Sequence, residues 1–147
     1  MKSKLISDQG VRTYALVFDK GDEVFTELLE FANREKIYTA HFNALGALRD
    51  LTFGWFDPQS KEYKRFEIAE GVEVMSLAGN LTATEAGEPK LHAHVVIGKS
   101  DGTAHGGHFF QGHVWPTLEM ILVAASAGLI RRIDEDCGLP LIDLDLE

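Results

Sequence analysis

With 147 residues, 45% of them hydrophobic and 25% charged, the chain has the length of one domain, expected to span 1–147, and the composition of a protein with a packed core. Its 23 acidic residues against 14 basic ones give a formal net charge of −9. That balance disfavours DNA as a partner of this chain alone, because such affinity comes mainly from Lys and Arg neutralising phosphates. No apolar run reaches the ~18–20 residues of a membrane span. Met1–Asp8 lacks the apolar stretch of a secretory signal, and the lone Cys137 excludes an intrachain disulfide and a thiolate metal cage. A cytoplasmic protein is expected.

The first predicted element is a strand over Val11–Phe18, rich in strand formers and alternating in polarity. Gly21-Asp22 then opens a helix to about Lys36, with Val24, Phe25, Leu28, Leu29 and Ala32 as its apolar stripe. Asp22 is the candidate cap, and Glu30 with Arg34 makes a favourable i,i+4 pair. From Tyr38 the pattern turns to strands, Tyr38–Ala47 and Leu48–Phe56, with Gly46 at a bend or bulge. Asp57–Ser60 reads as a turn, Glu62–Ile68 as a returning strand, and Val72–Thr82 as a long strand with Gly79 inside it. After a polar turn at Glu85–Pro89 come the strand His92–Ile97, the hairpin turn Lys99–Gly102 and the strand Thr103–Val114. Pro116 is expected to stop that strand. Thr117–Ser126 fits a buried strand or a short helix, and Arg131–Ile133 and Leu139–Leu146 close the chain as strands with charged edges. One helix and many strands joined by short turns predict an α+β fold on a largely antiparallel sheet, with the helix flanking it.

Chemistry concentrates in the middle of the chain. Leu91-His92-Ala93-His94 places two imidazoles on one face of a strand, with Cα atoms roughly 6–7 Å apart. Gly106-Gly107-His108 follows on the returning strand, where a third imidazole can complete a facial set. Three histidines with an open position suit a ligand-exchanging Zn²⁺, whereas closed structural sites take four ligands and favour Cys. The alternative is a set of surface or hydrogen-bonded histidines. Gly106 and Gly107 mark either a simple bulge or space left beside His108 for a substrate or a neighbouring subunit. Phe109, Phe110 and Trp115 are expected to form an aromatic cluster that packs in the core or at a subunit interface, with stacking on a ligand as the alternative.

These motifs, with Glu73-Val-Met-Ser-Leu-Ala-Gly-Asn before them and Thr117-x-Glu119 after, resemble the plants and prokaryotes conserved (PPC) domain. Phe42-x-Ala-x-Gly46-Ala47 is similar to its prokaryotic members. The resemblance covers nearly the whole chain. It implies an antiparallel sheet with a flanking helix, a homotrimer, and a fold shared with acetolactate decarboxylase, a zinc enzyme with a similar His-x-His…Gly-Gly-His pattern. His92, His94 and His108 carry over as zinc ligands, while His105 has no counterpart. Plant copies place the domain after a basic Arg-Gly-Arg segment that enters DNA, and this chain has no such segment.

Two acids are candidates for general base or proton shuttle beside a metal-held water. Glu119 is the one charge in Pro116–Ser126, either paired in a site or at the sheet rim. Glu73 alternates with Val72 and Val74 on the strand before the ligand pair and so can share their cleft. Three functions remain open: a trimeric zinc protein with a small-molecule pocket, an assembly or regulatory module without chemistry, and a DNA-binding protein.

Overall fold

A computed structural model describes residues 1–146. Nine strands and one helix follow the order β1 (Lys2–Ser7), β2 (Arg12–Phe18), α1 (Val24–Glu35), β3 (Ala40–Asp57), β4 (Glu62–Ile68), β5 (Val72–Thr84), β6 (Pro89–Gly98), β7 (Ala104–Ala124), β8 (Ile130–Ile133) and β9 (Pro140–Asp143). The fold is α+β and mostly antiparallel, as expected; among the described residues only β5 and β8 run parallel. The sheet runs β1-β2-β7-β3-β5-β8-β9, with β4 on β3 and β6 bridging β5 and β7. The pairings β3–β5, β5–β6, β6–β7 and β7–β3 therefore close a circuit, in which long β3 and β7 each serve two neighbours.

Alternation along the strands separates two faces. One face carries Leu16, Phe42, Leu77, Val95, Ile97, Leu118, Met120 and Leu122, all buried, and α1 covers β6 and β7 with Val24, Leu28, Phe31 and Ala32. Burying such side chains contributes ~1.5–3 kcal/mol each, and this core holds the sheet in one register. The helix is capped one residue later than expected, by Glu23 rather than Asp22. Glu23 accepts from the N–H groups of Phe25 and Thr26 at 3.3 and 2.8 Å, while Asp22 instead holds the Met1 ammonium at 2.8 Å. Glu23 also accepts from Gly112 N–H at 3.3 Å, so the cap ties α1 to β7. Lys36 ends the helix in the left-handed region at φ 54°, its N–H donating to Ala32 and Asn33. Arg34 ion-pairs with Glu35 rather than with Glu30.

Three other expectations are corrected. Pro116 does not stop its strand: between the pairs Leu48↔Val114 and Gly46↔Leu118, β7 has more residues than β3. The proline falls in that bulge, where no ladder N–H is required of it, and β7 continues to Ala124. Tyr38–Ala47 and Leu48–Phe56 are likewise one strand, with a register shift around Gly46. The aromatic triplet is dispersed: Phe109 packs edge-on to Phe25 at 5.0 Å, Phe110 lies near Tyr63 and His108, and exposed Trp115 has the Lys20 ammonium 3.3 Å from its ring centroid.

Candidate metal centre

The three motif histidines meet. In the β6–β7 ladder His94 lies directly opposite His108, and directly paired residues of an antiparallel pair share a face. His92, two positions along β6, joins them from the same face. Ring centroids are separated by 5.2 Å (His92–His94), 5.2 Å (His92–His108) and 5.6 Å (His94–His108), and one nitrogen from each ring lies within 4.8 Å of the others. Nitrogens around a tetrahedral zinc with bonds of ~2.1 Å sit ~3.4 Å apart, so closure asks each ring to move by about an ångström.

The glycines make this juxtaposition possible. A Cβ on Gly106 would stand 2.6 Å from the Val95 carbonyl oxygen, and one on Gly107 would collide with the carbonyl of Gly54. Both strands beside β7 thus approach its backbone where His108 begins, and His105 falls opposite core residue Ile97, away from the cluster.

Partners orient two of the rings. The Tyr63 hydroxyl lies 3.4 Å from Nδ1 of His108, which leaves Nε2 of that ring for a ligand. Arg131, 7% exposed, sits behind His92. Its Nε donates to Thr82 Oγ1 at 2.9 Å, Nη1 to the Pro140 carbonyl at 2.6 Å and Nη2 to Asn80 Oδ1 at 2.8 Å, with His92 Nδ1 3.4 Å from Nη2. No motif in the sequence marks Tyr63 or Arg131 as part of the site. Arg131 read as a charged strand edge, although its place between Ile130 and Ile133 in a short strand lets every second side chain turn inward.

Burial, reinforced by the neighbouring His92, His94, Lys90 and Arg65 charges, lowers the His108 pKa to about 4. Burial, then the Arg131 guanidinium and His94, lowers that of His92 as well. Both rings are neutral at neutral pH, the form that binds metals. Unfolding restores an ordinary His pKa of ~6.5, so between the two values the unfolded chain binds more protons and stability rises with pH. The metal-free protein is therefore expected to lose stability as pH falls from about 6.5 towards 4. Thermal unfolding across that interval measures the slope, and His108→Gln is expected to flatten it.

The two candidate acids lie on the same sheet face as the histidines but apart from them. Glu73 pairs with Gly98, four positions beyond His94 on β6, which is about 13 Å. Glu119 pairs with Val17 and Leu45, in the part of β7 beyond His108 that β6 does not join. Among the described residues no carboxylate joins the three imidazoles. His113, without an identified partner in sequence, holds Asp50 at 2.6 Å elsewhere on β7.

The profile of the plants and prokaryotes conserved (PCC) domain matches residues 6–126. The chain belongs to this family. Among solved structures, the PCC chain is similar to a plant- and prokaryote-conserved protein of Pyrococcus horikoshii, 34% identical over 90% of this chain and 91% of that one, with a TM-score of 0.84. It is also similar to a metal-containing protein of Archaeoglobus fulgidus, 31% identical over 96% of both chains, TM-score 0.83. A protein of Bacteroides thetaiotaomicron with a provisional DNA-binding name shares the fold at 24% identity over 98% and 99% of the chains, TM-score 0.88. So does acetolactate decarboxylase of Bacillus subtilis, 14% identical over 83% of this chain and 57% of the enzyme, TM-score 0.59. No curated protein matches the PCC chain in sequence. Among the described residues no helix is long and apolar enough to cross a membrane.

Proposed function

We propose that this chain is a metal-dependent, small-molecule-binding PCC protein in which His92, His94 and His108 hold one Zn²⁺ per chain. The observation that carries the reading is the convergence of three imidazole nitrogens within 4.8 Å, beside a cavity of about 670 Å³ that His92 and His108 help to line. An all-nitrogen, three-ligand set suits zinc and leaves a position for water or substrate. When bound, such an ion supplies a Lewis acid and a water that ionises near neutral pH. Tyr63 and Arg131 fix two of the rings, and β6 and β7 hold all three on one wall. The metal-containing name of the Archaeoglobus relative supports the same reading. The test is elemental analysis of untagged protein after zinc loading and desalting: one equivalent per chain is expected, and protein that retains none contradicts the reading.

The assembly belongs to this proposal. On the sheet face opposite α1, Val17, Leu45, Met75, Val96 and Ile121 are each at least 38% exposed. The strand pairings place Leu45 and Ile121 beside Glu119, and Val96 two residues from His94. An apolar face of this extent suits burial against copies of itself, and we assign it to a homotrimer. Glu119 and Glu73, remote from the histidines of their own chain, serve as base or shuttle only across the subunit boundary. Leu45→Glu adds a carboxylate beside Glu119 and is expected to convert a species of three times 16.3 kDa into monomer, read by light scattering. A trimer unchanged by Leu45→Glu would place the interface elsewhere.

The chain acts as one domain, and its single cysteine suits the reducing cytoplasm. Its charge of −9 makes duplex DNA an unfavourable partner at physiological salt, the provisional name of the Bacteroides relative notwithstanding.

A further inference from the structure

The β6–β7 pairing ends at His94↔His108. Beyond it the strands part, and the 670 Å³ cavity opens between them with the metal centre at its mouth. Its walls have two sources. Phe25 and Leu29 of α1 with Leu91 of β6 make one apolar side, and Leu139 and Leu141 of the C-terminal hairpin make another. That hairpin lies outside the residues that match the PCC profile. The residues that match the profile therefore supply the histidines, and a segment beyond them helps shape the space in front of them.

The cavity's charge is opposite to that of the chain. In a protein of net charge −9, three side-chain cations line this space, Arg65, Lys90 and Arg131, against one carboxylate, Glu88. Their roles differ. Arg131 is buried and three of its nitrogens already donate to protein oxygens, so it is a fixed positive charge and a positioning residue for His92. Arg65 and Lys90 are exposed and carry no ion pair among the described residues. Arg65 is stacked 4.1 Å over the Phe110 ring, which itself lies 4.9 Å from His108, so its guanidinium is held at the rim of the metal centre.

We infer that this cavity binds an organic carboxylate bearing an apolar group, its carboxylate drawn to Arg65 and Lys90 and its apolar part seated against Leu29, Leu91 and Leu141. A volume of about 670 Å³ fits the class of small-molecule sites, which are mainly apolar with a few placed polar groups. The first turn of α1 reaches the wall at Phe25, but its N–H already donates to the Glu23 cap, and no glycine lines the walls, so the space lacks the open backbone amides that cradle phosphate. The inference rests on the metal reading for the reacting end of the ligand, and on the cavity alone for the class of ligand.

Calorimetric titration of the zinc-loaded full chain with 4-methyl-2-oxopentanoate tests it, with inorganic phosphate and the neutral 4-methyl-2-pentanone as comparators. The oxo acid is expected to bind at least tenfold more tightly than either. The double variant Arg65→Gln/Lys90→Gln, at two exposed positions, is expected to weaken it at least tenfold while circular dichroism and zinc content stay unchanged. Failure of the oxo acid to bind, equal binding of the ketone, tighter binding of phosphate, or an unaffected double variant would each overturn the inference. Zinc content read in parallel separates the two proposals. Protein that holds zinc but ignores the oxo acid defeats only this inference. Protein that binds the oxo acid through Arg65 and Lys90 without zinc supports this inference and defeats the metal reading.

Discussion

His94→Ala is expected to lower zinc affinity by ~10²–10³-fold with almost no loss of fold stability. Complete four-ligand zinc sites bind with apparent free energies of ~10–16 kcal/mol, so one ligand is worth on the order of 3–4 kcal/mol. His94 is the exposed member of the trio and, unlike His92 and His108, has no hydrogen-bonding partner among the described residues. Substitutions at such exposed positions usually change stability by within ~0.5 kcal/mol. Competition titration against a chelating dye gives the affinity, and chemical denaturation of the metal-free variant gives the stability. If His94→Ala binds zinc as tightly as the parent, the three-imidazole site is wrong even though the rings converge.

Gly107→Ala is expected to show the opposite pattern, damaging the fold and the site together. Its new methyl would collide with the Gly54 carbonyl and stand 3.2 Å from a ring carbon of Phe53. Overpacking of this kind costs ~1–3 kcal/mol, more where backbone rather than a flexible side chain must yield. For a domain of this length that corresponds to a fall in Tm of roughly 2–4 °C per kcal/mol. The adjoining His108 shifts with the strand, so zinc affinity falls too. Gly128→Ala is the control: nothing lies within 4 Å of its added Cβ and its φ is not positive, so melting should barely change. A Gly107→Ala protein as stable as the parent would show that β3 and β7 separate more readily than their pairing implies.

Much of this site is legible in the sequence, because it is built from short-range rules. Period-two alternation placed His92 and His94 on one face, and the hairpin at Lys99–Gly102 brought His108 back opposite His94. The helix stripe Val24, Leu28 and Ala32 was equally plain, since those positions recur at helical spacing and are buried. What escaped depends on partners distant in sequence. β1 is exposed along its whole length, so Lys2–Ser7 has no inward-facing pattern to reveal a strand held only by pairing with β2. Pro116 suggested an ending because a bulge opposite β3 cannot be foreseen from one strand. Arg131 reaches His92 through the parallel pair β5–β8, joining positions 84 and 131, and no local periodicity reports that contact. Glu73 and Glu119 share the correct face, which alternation gives, but their distance along the sheet depends on register and strand order, which it does not.

A crystal structure of the zinc-loaded protein, with anomalous data on both sides of the zinc absorption edge, tests the three-imidazole site at atomic detail. A single strong peak per chain is expected, about 2.0–2.1 Å from one nitrogen each of His92, His94 and His108, with a remaining position open to the cavity. A zinc-soaked crystal with no peak there, or with those rings turned apart and bonded elsewhere, would contradict it.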